Sequence, residues 1–355
     1  RTDLDIRRAL ERQIEAERWT QLDRQLIRDA GKTGVIDVAP EAGRQPDAYT
    51  VEKVGRLRKL EALGLASEVG PGQWVLDDKA EGTLRQLGER GDIIKRMHRA
   101  LTERGIERGS ANYVLAGESL DVPVIGRLVE RGLDDELKGT AYAVVDGVDG
   151  RTHHIRLPHL DAAGDSAPGS IVELRAFDDA RGEHRVALAV RSDLDLQHQV
   201  NASGATWLDR QSIAREPVAM SDGGFGAEVR DALRQRAEHL VREGLAEQQG
   251  GRVVFRRNLI DTLRRREVDA VADRLAKETG QPFKPAGNGE YVAGTYRQRM
   301  TLASGRFAMI DDGLGFQLVP WSPSLENQLG KHVSGVARGD GGVDWSFGRK
   351  RGLGL

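Results

Sequence analysis

Four stretches of this chain recur later in the same order, and that repetition limits the possible folds more than any other feature of the sequence. WTQLDRQLI, Trp19 to Ile27, returns as ATWLDRQSI, Ala205 to Ile213. LRKLEALGLASEVGPGQWVLDD from Leu57 returns as LRQRAEHLVREGLAEQQGGRVVFRRN from Leu233, and Thr-Leu-Arg follows both, at Thr83 and Thr262. YAVVDGVDGRTHHIRLP from Tyr142 returns as FAMIDDGLGFQLVPW from Phe307. A chain of 355 residues also exceeds one ordinary core. The expected architecture is therefore α+β and multidomain: two winged-helix-like units alternating with two small β-barrel or curled-sheet units. The expected boundaries are 1–110, 111–200, 201–285 and 286–355.

Each repeated unit has a physical logic. In LRKLEALGLA, Leu57, Leu60, Leu63 and Leu65 lie mostly on one helical face, and Gly64 is placed for a left-handed C-cap. The hairpin after it would form a wing. Leu233, Leu240, Gly244 and Leu245 take the same roles in the second copy, with the turn at Gly250-Gly251. In the β units, Phe307, Met309, Phe316 and Leu318 alternate either side of Asp311-Asp312-Gly313, the pattern of a tight hairpin with one buried face. Tyr142 and Phe307 hold equivalent positions, which argues for core packing. Gln197 to Gly204 is polar and predicts a linker, Pro282 to Gly289 predicts a second one, and Asp161 to Gly169 predicts a surface loop.

Charge is nearly balanced, 53 basic against 55 acidic residues, so attraction to nucleic acid has to be local. The two wings differ in this respect. The first carries Asp77, Asp78 and Glu81 against Lys79. The second carries Arg252, Arg256, Arg257, Arg264, Arg265 and Arg266 against Asp261, a density suited to phosphate contacts. The alternative is a solvated helix whose arginines pair with Glu267, Asp269 and Asp273. Arg349, Lys350 and Arg351 form a basic end that would serve as a recognition tail.

Chemistry is thinly represented. His153, His154 and His159 are the only histidine cluster, but adjacent strand residues face opposite ways, so His153 and His154 cannot share one ion, and His154 and Arg156 are expected outward. No tyrosine sits beside an evident activating base, and there is no phosphate loop or dinucleotide fingerprint. No catalytic residue, no metal and no cofactor is expected. Cysteine is absent, which removes thiol chemistry and fits a cytoplasmic location. No apolar run approaches the ~20 residues that span a bilayer. The chain opens directly on an amphipathic helix pattern at Arg1 and is expected to be a piece of a longer protein.

The run GTYRQRMTLASGRFAMIDDGLGFQLVPW, with GKHVSGVARGDGGVDWSFGRKRGLGL after it, resembles the C-terminal region of conjugative relaxases, the relaxase/mobilization nucleases. The resemblance extends back through ATWLDRQ and LRKLEALGLA, so it covers nearly the whole chain. In that family an N-terminal domain nicks plasmid DNA using a nucleophilic tyrosine and a histidine-rich metal site. Neither motif has a match here, so no catalytic residue carries over. The resemblance implies an accessory DNA-binding region acting near the transfer origin in conjugative DNA transfer. The competing reading is a docking or secretion-recognition module for components of the conjugation (type IV secretion) machinery.

Overall fold

A computed structural model of the chain describes residues 2–39 and 48–347, and it is α+β throughout, with eight α-helices and four sheets among the described residues. It divides into two compact units, Arg1–Arg99 and Ala100–Leu355.

The first unit begins with α1 (Asp3–Glu15), α2 (Gln21–Ala30), β1 (Val35–Asp37) and α3 (Ala48–Ala62). A hairpin of β2 (Ala66–Gly70) and β3 (Gln73–Leu76) follows, then α4 (Ala80–Glu103), which runs past the unit boundary. The three strands form an antiparallel sheet in the order β1-β3-β2. Leu57, Leu60, Leu65, Trp74 and Leu84 close a core with Leu26 and Ile36, as the leucine spacing predicts. Gly64 ends α3 at φ +74°, with its N–H on Glu61 O at 2.9 Å and Leu65 N–H on Leu60 O at 2.8 Å. That is a Schellman termination, which needs the left-handed conformation glycine adopts freely.

Arg56 is wholly buried, with every guanidinium donor used. It donates twice to Asp23, at 2.8 and 2.9 Å, and to the carbonyls of Ile14, Ala16 and Arg18 at the end of α1. Asp23 meanwhile accepts from Thr20 N–H and Oγ1 as the capping box of α2. One arginine thus welds α1, α2 and α3 together.

The second unit opens with a six-stranded sheet: β4 (Tyr113–Gly117), β5 (Val124–Asp135), β6 (Thr140–Gly147), β7 (Thr152–Leu157), β8 (Ile171–Asp178) and β9 (His184–Ser192). The order is β4-β7-β6-β5-β8-β9, antiparallel except for the β4–β7 pair. Next come α5 (Leu196–Val200), α6 (Trp207–Ile213), α7 (Gly224–Arg242), the hairpin β10 (Ala246–Gln249) and β11 (Arg252–Phe255), and α8 (Leu259–Thr279). A five-stranded antiparallel sheet ends the described chain: β12 (Tyr291–Leu302), β13 (Gly305–Asp311), β14 (Phe316–Pro320), β15 (His332–Ala337) and β16 (Val343–Trp345), in the order β14-β13-β12-β15-β16. The predicted hairpin at Asp311–Phe316 is present, and Phe307, Met309, Phe316 and Leu318 are all buried, as is Tyr142.

Contacts recur between the parts. Arg236 of α7 is buried and donates twice to Asp209, at 2.8 and 2.9 Å, and to Val200 O, Ala202 O and Gly204 O. Thr206 and Asp209 form the capping box of α6. Gly244 ends α7 at φ +72°, and Leu245 N–H bonds Leu240 O at 2.8 Å. In the sheets, Leu128 N–H bonds Ser170 O while Gly169 N–H bonds Leu128 O; Tyr296 makes the same two bonds to Lys331 and Gly330.

Three expectations change. Neither sheet closes into a barrel: β4 and β9 remain the edges of one, β14 and β16 of the other. Their cores are completed by inserted turns instead, Ala162 and Ala163 in the first and Leu325 in the second. Met309, Phe316 and Leu318 bury the other face of the second sheet against Ala272 and Leu275 of α8. Gln197 to Gly204 is no linker, because α5 buries Gln199 and Val200 and its following carbonyls hold Arg236. The loop from Asp161 is likewise partly internal, with Ala162, Ala163 and Ser166 buried.

Candidate nucleic-acid interface

The second hairpin owes its charge display to strand alternation. Along β11, Val253 and Phe255 turn inward onto the core of Leu240, Leu245, Leu259 and Leu263, so Arg252 and Val254 face out. Arg256 continues the exposed row, with its backbone N–H on Leu245 O at 3.0 Å. Arg257 is exposed beside it, just before Asn258, which is left-handed at φ 57° and turns the chain into α8. On α8, Leu259 and Leu263 point to the core, which leaves Arg265 and Arg266 exposed and Arg264 half-buried.

The pairing alternative for these arginines is not met by its named acids. Glu267 accepts instead from the backbone N–H groups of Ala303 and Ser304, at 3.0 and 2.9 Å. Arg264 bonds Asp261 at 2.9 Å. Among the described residues, Arg252, Arg256, Arg257, Arg265 and Arg266 form no ion pair. The neighbouring helix α7 behaves differently: Arg230 pairs with Asp222, and Arg234 with Asp231 and Glu238. On the first hairpin, Asp77 N–H bonds Leu65 O at 2.9 Å, the counterpart of the Arg256 bond. Acid therefore stands in one hairpin where arginine stands in the other. The Asp77 carboxylate also accepts from Lys79 N–H at 2.8 Å. Arg349, Lys350 and Arg351 lie outside the described residues.

The histidines are arranged for packing. His154 is buried and stacked on Tyr142 with ring centroids 5.5 Å apart, which corrects the outward placement expected from simple alternation, because β6 and β7 are covered on both faces. Arg156 is only partly exposed and pairs with Asp134 at 3.1 Å. His153 Nε2 lies 2.8 Å from Asp149 Oδ2. Burial pushes the Asp149 carboxyl up, but the hydrogen bonds from His153 and Arg151 N–H, with the charges of both residues, together outweigh it and leave the group below its ordinary value. No group of three or more His, Asp or Glu side chains suited to a metal ion occurs among the described residues. Burial pushes the Tyr113 and Tyr296 hydroxyls up, the direction opposite to nucleophile activation.

Sequence reading missed the ionic joints that assemble the second unit. Asp146 is completely buried between Arg108 and Arg127, at 2.9 Å each, and both arginines also reach Glu228 of α7. Arg127 lies over the ring of Phe225, 4.7 Å from its centroid. Arg306 binds Asp193 at 2.8 Å and Asp165 at 2.9 Å, joining the two large sheets. Arg127 and Asp146 lie 19 residues apart, Arg306 and Asp193 113, and Arg108 and Glu228 120, so no local pattern marks them.

Among the described residues, no helix is long and apolar enough to cross a membrane. No curated protein and no solved structure matches the chain. A family model described as protein of unknown function (DUF3363) matches residues 53–180 and 174–354, which together span most of the sequence, and the chain belongs to that family.

Proposed function

We propose that this chain is an accessory DNA-binding region of a conjugative relaxase, working in the cytoplasm during plasmid mobilization, with DNA near the transfer origin held on the second hairpin and the start of α8. The observation that carries this reading is the set of exposed arginines that form no ion pair among the described residues, Arg252, Arg256, Arg257, Arg265 and Arg266, on one hairpin and the helix start after it, in a protein whose formal charge is −2. Uncompensated guanidinium groups on an exposed hairpin suit phosphate contacts and counterion release. The paired charges on α7 suit them less, so the hairpin and not the preceding helix makes the contact.

The architecture is read as a duplication. Two winged-helix-like units each lock a helix with a buried arginine, and each is followed by a sheet. The matching Arg56 and Arg236 bonds support the first pair. The second is supported by the shared order of β5–β9 and β12–β16. On this reading Asp77 and Asp78 align with Arg256 and Arg257, and only the second copy retains a DNA surface.

Binding of labelled DNA to the chain at several salt concentrations tests the proposal. Affinity should fall steeply with salt, and Arg256→Ala with Arg257→Ala should flatten the log–log slope by about 0.9 per lost contact. Lys79→Ala should change nothing. Undiminished binding by a folded chain lacking all six arginine side chains from Arg252 to Arg266 would refute it. One observation favours the docking alternative: a groove of about 420 Å3 between α8 and the last sheet, floored by Phe283, Phe307 and Leu318 and rimmed by Arg264, Arg265 and Arg338.

A further inference from the structure

A second cleft, of about 290 Å3, opens where the end of β9, α6 and the β12–β13 turn meet within the second unit. Its volume lies at the lower end of the roughly 300–1,000 Å3 typical of ligand sites, and sites favour such junctions. The half-buried Trp321 and the edge of the largely buried Trp207 line it, while Arg210, Asp193, Ser304 and Arg306 supply polar groups. Arg299 and Arg306 lie against the Trp321 ring, 5.0 and 5.8 Å from its centroid, and fix its orientation.

Most charge around the cleft is already paired. Arg306 is held by Asp193 and Asp165, and Arg191 by Glu173. Arg210 differs. The carboxylate beside it, Asp209, has both oxygens on Arg236. Arg210 forms no ion pair among the described residues and reaches only Ser304 O, at 3.4 Å. Although Arg210 is solvent-exposed as a residue, burial of its guanidinium and then the nearby Arg264 charge pull its pKa below the ordinary arginine value. An arginine that is partly desolvated and next to another arginine is a cation in need of an anion.

We infer that this cleft takes one nucleotide-like anion, with its phosphate on Arg210 and its ring against the tryptophan walls. The planar guanidinium fork matches phosphate geometry, and aromatic walls accept any base because every base has a π-face. The source is either a free nucleotide or one nucleotide unit of a bound strand. The inference rests on Arg210, which is not among Arg252 to Arg266, although Arg264 of that set lies nearby.

The experiment titrates the full chain with adenosine monophosphate, adenosine and inorganic phosphate, read by tryptophan fluorescence and by calorimetry. Adenosine monophosphate should bind saturably and change the fluorescence, with adenosine at least about tenfold weaker because the charge-assisted contact is lost. Arg210→Ala should weaken the nucleotide about tenfold or more with an unchanged melting curve, and Arg210→Lys should weaken it less. If the mononucleotide fails but a short single-stranded oligonucleotide binds with the same Arg210 dependence, in a chain also carrying Arg256→Ala and Arg257→Ala, the ligand is a strand unit. No Arg210-dependent binding of either probe overturns the inference, whatever the hairpin does with DNA. Should Arg210→Ala not fold, inorganic phosphate that fails to compete with adenosine monophosphate overturns it equally.

Discussion

Arg236→Ala should be among the most damaging single substitutions in the second unit, for reasons that can be counted. The side chain is fully buried and makes five hydrogen bonds: Nε to Asp209 Oδ1 at 2.8 Å, Nη2 to Asp209 Oδ2 and to Gly204 O at 2.9 Å, and Nη1 to Val200 O at 3.2 Å and to Ala202 O at 2.6 Å. Truncation leaves Asp209 as a buried charge whose remaining donors are Thr206 N–H and Oγ1, and it orphans three carbonyls. Removing one partner of a buried pair costs about 3–5 kcal/mol. With a urea dependence of about 1–3 kcal/mol per molar, the midpoint should fall by about 1–5 M. The assay is equilibrium unfolding followed by circular dichroism, with Arg56→Ala as the matched change in the first unit. Arg236→Met combined with Asp209→Leu should cost less than Arg236→Ala alone, since no unpaired charge remains, although loss of the capping box still costs about 1 kcal/mol. A loss below about 1 kcal/mol for Arg236→Ala would refute the reasoning, because it would mean water replaces all five bonds without penalty.

Gly126→Ala and Gly294→Ala should each destabilise the second unit by roughly 1–3 kcal/mol in thermal melts, because an added Cβ would lie 2.2 Å from Asp146 O and 2.5 Å from Asp311 O, backbone atoms that cannot swing aside. Unchanged melts would show that β5 and β12 can shift. Asp165→Asn addresses pH. Burial pushes the Asp165 carboxyl up, but Arg299 and Arg306 outweigh it, so its folded pKa lies below 3.8. The stabilisation is therefore complete above the unfolded value and lost as pH falls through the folded one. Wild type and Asp165→Asn should differ at neutral pH, by under about 1 kcal/mol given the half-exposed pair, and converge in strong acid. A gap that widens on acidification would contradict the assignment.

What the sequence made legible is local, and what it hid is long-range. The leucine spacing and Gly64 or Gly244 carry their own geometry, so helix ends and hairpins could be read from it. So could the Asp311–Phe316 turn. The polar run Gln197 to Gly204 misled because its buried side chains, Gln199 and Val200, and its backbone carbonyls are structural groups, and Arg236 reaches the carbonyls from 32 to 36 residues away. The histidine strand misled for a related reason: alternation predicts one wet face only when a sheet has one, and β7 is covered on both. Of the candidate surface, the charge contrast between the hairpins was legible, but the Arg210 cleft was not, since it needs three elements brought together.

Two sets of arginines in this chain do different work. Arg56, Arg236, Arg108, Arg127 and Arg306 are consumed by the fold, each satisfying a carboxylate from another element. Arg252, Arg256, Arg257, Arg265 and Arg266 are exposed and form no ion pair among the described residues, so the near neighbours among them repel slightly. On the first hairpin, Asp77 N–H bonds Leu65 O as Arg256 N–H bonds Leu245 O, and there the exposed residues are Asp77 and Asp78. On the proposed reading, binding of a polyanion would offset that repulsion.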